Sequence, residues 1–385
     1  MDSSVNSLIP AIGAVAGACA WYGLLKKSNT SGMSVRQVLL VLFIAGLLCR
    51  VAAAVVTPTF YAPDEQAHFK YIQYVAEHYS LPVQTSRTDA PSNDWEYYQP
   101  PLYYAVLAPF LVIIQQVTDN EAVSVRFLRF LSIVLWSVTV GLTVLFLKRL
   151  QITDAFTRAS VIGVMCLLPT YTFSSSVINN DNLATALGSG ILTVVVSPPA
   201  SRARPVGLGL LLALLLLTKL TAVVVVVFLV LLFLAGIPDR GKRGQPLTSL
   251  AVTLVIATLF WAPWLWRNWI LYGSLTGEGI ANVIQAWTSP LQPVIIIVKH
   301  LPASFWAVAG INDDVHSLYP IPGILLTLLA GGGLLAGLTA QRERLQRLAG
   351  RHGRLLLVTA GAVAVTIMLV VRFALLYGQA QGRFL

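Results

Sequence analysis

Charge is scarce in this sequence: of 385 residues only 11% are Asp, Glu, Lys or Arg, against roughly a quarter in a soluble globular domain. That shortage excludes an ordinary water-soluble fold, whose solvated faces need charged side chains throughout. Cysteine is scarce too. Cys19, Cys49 and Cys166 lie in apolar stretches with no neighbouring Cys or His at metal-ligand spacing, so they read as packing residues and no disulfide framework is expected. There is no phosphate-cradling Gly-rich loop of nucleotide-binding type. Gly331-Gly332-Gly333 lies inside an apolar block, where small residues allow close helix packing, so a nucleotide substrate held by such a loop is disfavoured. Low-complexity tracts, internal repeats and a separate soluble domain are also lacking. The stretch 8–25 has no basic leader and is followed by Lys26-Lys27, the reverse of signal-peptide polarity, and is read as an additional N-terminal helix.

What the sequence has in abundance is apolar length. Hydrophobic residues make up 56% of the chain, in blocks such as 38–57, 127–147 and 355–377, each near the ~20 residues that a hydrocarbon core requires. The net charge of +10 would suit nucleic acid in a soluble protein. In a membrane protein, Lys and Arg report orientation first, and no nucleic-acid partner is expected. If 101–117 crossed the bilayer, Lys148, Arg149, Arg158 and every later basic loop would fall outside. If it lies along the outer surface, Lys26-Lys27, Lys148-Arg149, Lys242-Arg243 and the arginines of 342–354 all fall inside, as the positive-inside rule demands. The expected spans are then about 8–25, 38–57, 127–147, 159–178, 182–197, 206–219, 221–237, 248–266, 320–340 and 355–377, with a broken hairpin as the alternative around Thr218-Lys219-Leu220-Thr221. Arg50 and Arg372 sit near the outer ends of spans and are expected to snorkel. Most carboxylates fall outside, in or beside two large outer loops at about 58–126 and 267–319. The expected fold is all-α: one polytopic transmembrane domain in the cytoplasmic membrane, with interfacial helices in its first outer loop and its chemistry on the extracytoplasmic face.

That loop carries the sharpest local signal, Ala62-Pro63-Asp64-Glu65-Gln66-Ala67-His68-Phe69. Pro63 suits the first position of a helix, and acids in the first turn complement the helix dipole. At helical spacing Gln66, Lys70, Gln73 and Glu77 form a polar stripe, which places Asp64, His68, Tyr71, Val75 and Tyr79 on the opposite, largely apolar face. A carboxylate and an imidazole one turn apart on such a face are costly unless they meet a partner, a ligand or a wet cavity. Further on, Glu96-Tyr97-Tyr98-Gln99-Pro100-Pro101-Leu102-Tyr103-Tyr104 stiffens the approach to an apolar helix whose tyrosines suit an interfacial belt. Asp64, Glu65 and His68, or Asp313, Asp314 and His316, are candidate ligands for a divalent metal, without a diagnostic spacing.

An extracytoplasmic Asp-Glu after an early span, followed by Pro-Pro-Leu-Tyr and an interfacial helix, resembles the GT-C superfamily of polyprenyl-phosphate-sugar-dependent glycosyltransferases. Protein O-mannosyltransferases and aminoarabinose transferases share that arrangement. Pro63-Asp64-Glu65-Gln66-Ala67-His68, Asn179-Asn180-Asp181 and Gln381-Gly382-Arg383-Phe384-Leu385 are similar, in order, to elements of a bacterial membrane-protein family of undefined substrate. Leu217-Thr218-Lys219 and Pro263-Trp264-Leu265-Trp266-Arg267-Asn268 look like recurrent elements of such enzymes. The family continues into further spans beyond the Gln-Gly-Arg element, so this chain is expected to be a C-terminally truncated piece.

The resemblance implies transfer of a sugar from a polyprenyl-phosphate donor in the lipid bilayer to a glycan, lipid or protein acceptor of the cell envelope. Asp64 would be the base, with Glu65 orienting the acceptor or helping to hold a cation. His68, Gln99, Asn180 and Asn268 would bind substrate. Asp181 reads equally as a helix cap or as a sugar or acceptor ligand. Lys219, Arg267 and Arg383 are candidates for the lipid phosphate, although Arg267 among Trp261, Trp264, Trp266 and Trp269 also suits interfacial anchoring. Two alternatives stand beside the enzyme: a transporter or flippase of a lipid-linked saccharide, and a non-catalytic assembly partner. Transporters usually carry ionisable groups at mid-membrane and repeated halves; here the charges gather at one face without a repeat.

Overall fold

A computed structural model of the chain describes residues 34–85, 94–197, 203–234, 245–277, 289, 291–307, 324–325, 327–330, 332 and 342–377. Every regular element among them is helical. The first helix, α1 (Val35–Val56), starts at a capping box: Ser34 Oγ accepts from the Gln37 amide, and the Ser34 amide donates to Gln37 Oε1 at 2.8 Å. It stops at Thr57-Pro58, where proline cannot continue the ladder. The outer loop then supplies two short helices, α2 (Glu65–His78) and α3 (Leu102–Gln115). Asn120 caps the long α4 (Glu121–Arg149), which ends on Lys148 and Arg149 as the helix dipole favours.

Asp154 caps α5 (Ala155–Leu167), and Leu168-Pro169 breaks the expected span 159–178 into α5 and the short α6 (Pro169–Ser174). Next come α7 (Asp181–Val196), α8 (Arg204–Leu216), a 3-10 turn (Leu220–Ala222) and α9 (Val223–Leu234). Thr218 and Lys219 thus lie in the interruption between apolar helices that the sequence suggested. Further along come α10 (Gln245–Tyr272), α11 (Gln292–Ala307) and α12 (Arg342–Tyr377). The expected span 8–25 and most of 320–340 lie outside the described residues.

By packing, the chain forms two compact units. The first holds α1 to α8, the 3-10 turn and α10 from Val252 onward; the second holds α9, the start of α10, α11 and α12. In the second unit α12 packs on α9 and α11. In the first, α4 packs along α7, α1 along α5, α2 on α3, and α7 on α8. Its core has two parts. One is rich in tyrosine and joins α2, α3 and the start of α4 through Phe69, Tyr71, Ile72, Tyr103, Tyr104 and Leu128. The other is aliphatic and joins α1, α4 and α5 through Leu42, Ile133, Trp136, Ile162 and Cys166.

Among the described residues three helices, α1, α4 and α10, are long and apolar enough to cross a membrane. Only 28%, 33% and 22% of their apolar stretches is buried inside the protein, so most of that surface needs an apolar solvent rather than water. The chain is therefore an all-α helical bundle with membrane character.

The break after α5 explains Arg50. The sequence suggested a snorkelling side chain; instead it is completely buried. Its guanidinium donates to the carbonyls of Gly46, Met165 and Cys166 and to Ser175 Oγ at 2.8–3.1 Å, and stacks on Trp136 with Cζ at 3.8 Å from the ring centroid. Carbonyls freed by the helix end take its protons, and the aromatic face takes its charge. Arg372, by contrast, is exposed.

Close helix packing falls on Gly46 and Gly209. A Cβ on Gly46 would meet Cys166 Cβ and O at 2.9 Å and one on Gly209 would meet Ile256 Cβ at 2.7 Å, while one on Gly332 has nothing within 4 Å. Gly46→Val forces α1 away from α5 and is expected to cost about 1–3 kcal/mol, the usual range for overpacking. Thermal inactivation of the purified variant measures it; an unchanged midpoint removes the close approach as a constraint.

Candidate functional site

The turn between α1 and α2 holds two residues in the left-handed region, Phe60 (φ 61°) and Asp64 (φ 62°). Non-glycine residues avoid that region, Asp less than most, and a bulky Phe there costs energy that the surroundings must supply. Arg129 of α4 supplies it. The side chain is completely buried; Nη1 donates to the Ala54 and Thr57 carbonyls at 3.0 and 2.7 Å, and Nη2 to the Pro58 carbonyl at 2.9 Å. The same guanidinium grips Glu65 as a fork, Nε to Oε1 at 2.8 Å and Nη2 to Oε2 at 2.6 Å. Glu65 Oε1 also accepts the Ile178 amide at 3.1 Å. Glu65 is 0% exposed, and with three donors on its two oxygens it clamps the turn to α4 and to the segment before α7.

This alters the geometry expected for the Asp-Glu pair. Helix α2 begins at Glu65, so Pro63 precedes it and Asp64 is the flanking residue, without a side-chain cap bond. Extending helical spacing back through Asp64 fails because its left-handed backbone interrupts the 100° period. The desolvation cost expected at Asp64 falls on Glu65 and His68, while Asp64 itself is half-buried. The Asp64 carbonyl still receives the His68 amide at 2.9 Å.

His68 reaches into the tyrosine core. Its Nδ1 lies 2.9 Å from the Tyr104 hydroxyl, and Asn180 Nδ2 lies 3.5 Å from the same oxygen and 3.4 Å from the Thr218 carbonyl. Burial pushes the Tyr104 hydroxyl well above its ordinary pKa, so it is a neutral phenol. Donor and acceptor roles within the His68–Tyr104 pair follow the imidazole tautomer. The Tyr103 hydroxyl accepts the Asn179 amide at 3.0 Å, and the Leu102 amide donates to the Leu217 carbonyl at 2.9 Å. Lys219 and Asp181 form an ion pair, with side chains 15% and 31% exposed. Four elements far apart in sequence thus converge: the Asp64–His68 segment, Leu102–Tyr104, Asn179–Asp181 and Thr218–Lys219.

Beyond Tyr104 the stack continues. Tyr71 lies on Tyr104 at 3.7 Å between centroids and 13° between planes, and donates to the Gln99 carbonyl at 3.3 Å. Gln99 Nε2 donates to the Tyr98 hydroxyl at 3.2 Å. Arg267 of α10 reaches the Pro82 carbonyl at 2.6 Å through Nη2 and stacks on Trp264 with Cζ at 5.0 Å from the ring centroid. Asn268 is completely buried and donates to the Leu275 carbonyl at 3.1 Å.

Arg383, Asp313, Asp314 and His316 lie outside the described residues. Among the described residues no group of three or more His, Cys, Asp or Glu is placed to hold a metal ion; Glu65 and His68 turn to Arg129 and Tyr104 instead. Sequence reasoning passed over Arg129, although a charge near the start of an apolar block was an available signal. It also assigned Tyr103 and Tyr104 to an interfacial belt, whereas both are buried hubs. Comparison with protein-family models, with curated proteins and with solved structures finds no match to this chain.

Proposed function

We propose that this chain is a membrane glycosyltransferase of GT-C type that moves a sugar from a polyprenyl-phosphate donor to an envelope acceptor on the extracytoplasmic face. One observation carries the reading: Asp64, a half-buried carboxylate in a strained turn clamped by Glu65 and Arg129, stands one helical turn from the His68–Tyr104–Asn180 network. The phenol and the amide are poor bases and His68 Nδ1 is already engaged with the Tyr104 hydroxyl, so the carboxylate of Asp64 is assigned as the base that meets the acceptor. It takes the acceptor hydroxyl proton as that oxygen bonds to the anomeric carbon. The bond from that carbon to the phosphate oxygen breaks, and its electron pair leaves with the lipid phosphate. The sugar passes through an oxocarbenium-like state. Cationic donors stabilise charge gathering on the phosphate, and phosphate departs without a strong general acid.

The test uses the full chain in lipid vesicles with a labelled short-chain polyprenyl-phosphate sugar and an envelope extract as acceptor. Release of polyprenyl phosphate with label in the acceptor supports transfer. Movement of intact labelled lipid between leaflets, without cleavage, would show a flippase instead. The topology is tested separately. Cysteines introduced near residues 90, 285 and 314 should react with impermeant thiol reagents from outside, and ones near 155, 242 and 345 should not. The reverse pattern would move the site to the cytoplasm and end the reading.

A further inference from the structure

Helix α12 outruns the span expected over 355–377. Its 36 residues measure about 54 Å at 1.5 Å per residue, against the roughly 30 Å of a hydrocarbon core. The apolar part is C-terminal, around Leu357–Arg372, and the helix runs on without a break through 342–354. That extension carries Arg342, Arg344, Arg347, Arg351 and Arg354 against one carboxylate, Glu343. Charge alone would serve orientation, since the positive-inside rule counts basic residues and is indifferent to their angles. The angles are not scattered here. At helical spacing, positions 344, 347, 351 and 354 fall within an arc of about 80°, and Leu345, Ala349 and Leu356 occupy the opposite side.

That arc is in line with the side on which α12 packs. In the adjoining stretch 357–366, Val358, Ala362 and Val365 lie at the same angles and are half-buried, whereas Leu357, Val363 and Ala364 fall outside the arc and are exposed. The arginine positions therefore extend the packed side of the helix, which meets α9 and α11, and not its lipid-facing side. The second unit cannot neutralise them from within: its eleven Lys and Arg meet only four acids, Asp239, Asp313, Asp314 and Glu343. Like charges one turn apart on a helix repel, so an anion brought to the arc relieves them. We propose that Arg344, Arg347, Arg351 and Arg354 form a docking surface for the headgroup of an anionic phospholipid held against the second unit. Counted from Leu355, positions 354 and 351 stand about 1.5 and 6 Å beyond the apolar part, within a headgroup layer roughly 5–7 Å deep. The anions in that layer are lipid phosphates, which a guanidinium grips as a fork. Position 347, at about 12 Å, is within a Debye length of the same layer. A soluble polyanion would meet the outer two arginines first and leave the inner two to the lipid. The surface is independent of sugar transfer, because it is defined by the membrane phospholipid and not by a donor or acceptor.

The experiment purifies the full chain in detergent micelles doped with equal amounts of phosphatidylglycerol and phosphatidylcholine, and reads the retained lipid by native mass spectrometry. Each arginine near an anionic headgroup contributes about fivefold in affinity, so the parent should retain phosphatidylglycerol over phosphatidylcholine by at least about 25-fold. Arg351→Gln with Arg354→Gln should lower that preference by about the same 25-fold. A second variant conserves net charge and the number of basic residues while moving two of them to the opposite side: Arg351→Ala with Ala349→Arg, and Arg347→Leu with Leu345→Arg. Attraction by bulk charge would leave retention as in the parent, whereas a docking arc predicts a loss of at least about fivefold. Every substitution lies in the extension beyond the apolar part, so the thermal midpoint in lipid-free micelles should match the parent's, and added phosphatidylglycerol should raise the midpoint of the parent alone. Parental retention by the charge-conserving variant would overturn the proposal, as would a parent that holds the two lipids equally. Displacement of the retained lipid by inorganic phosphate at equal concentration would also overturn it, by showing a site for soluble anions.

Discussion

Replacing Asp64 by Asn should lower sugar transfer by about 10²–10⁴-fold, the usual contribution of a general base, with folding and sugar binding unchanged. The backbone argues for a clean variant. Asn tolerates the left-handed region as well as Asp does, so the φ of 62° at this position is retained, and with it the path of the turn. Glu65 still meets Arg129, since that pair is made by the next side chain. What disappears is the carboxylate. The matched control is Glu77→Gln on the exposed face of α2, where Glu77 accepts from Gln73 at 2.8 Å; its transfer rate should match the parent's. Purified Asp64→Asn protein working at the parental rate would remove Asp64 as the base. Loss of folding in this variant would assign Asp64 to the architecture of the turn.

The second large effect is expected at Arg129. Removing one partner of a buried ion pair leaves the other charge uncompensated, at a typical cost of 3–5 kcal/mol. Arg129→Met leaves Glu65, 0% exposed, with only the Ile178 amide, and it also strips donors from the Ala54, Thr57 and Pro58 carbonyls. A single unfolding measurement does not separate these losses, but a double variant does. Arg129→Met with Glu65→Leu replaces the pair by apolar groups, which is often near neutral, so much of the stability should return. Transfer should not return, because the turn has lost the guanidinium that holds Phe60 and Asp64 in strained conformations. Stability is read from thermal unfolding in detergent micelles and transfer from the vesicle assay. A double variant that transfers sugar at the parental rate would show that the clamp does not position Asp64.

These two residues mark how far the chemistry was legible in the linear sequence. Asp64 announced itself through its neighbours Pro63, Glu65 and His68, all within one helical turn. Arg129 stands 64 positions from its partner Glu65, and nothing in its local sequence points to that partner. Local spacing did predict that His68 is buried on the tyrosine side of α2, and it is 4% exposed. The same spacing misplaced Asp64, because periodicity gives angles between residues inside a helix but not where the helix begins. That point was settled by a left-handed backbone which no side-chain pattern records.

The sequence by itself determined that this is a helical protein of membrane character. Apolar blocks of span length have few other solutions, since backbone amides in lipid must bond within their own helix. It determined several helix starts through local chemistry, at Ser34, Asn120 and Asp154, and the interruption around Lys219. Only the tertiary structure decided which charges meet: Glu65 with Arg129, Asp181 with Lys219, and Arg50 with the carbonyls at the end of α5. The physical reason is that a helix carries its period in its own residues, whereas a pairing between distant residues depends on how the helices pack. In a low-dielectric interior, that packing settles which of several like charges is neutralised and which stays available for a ligand.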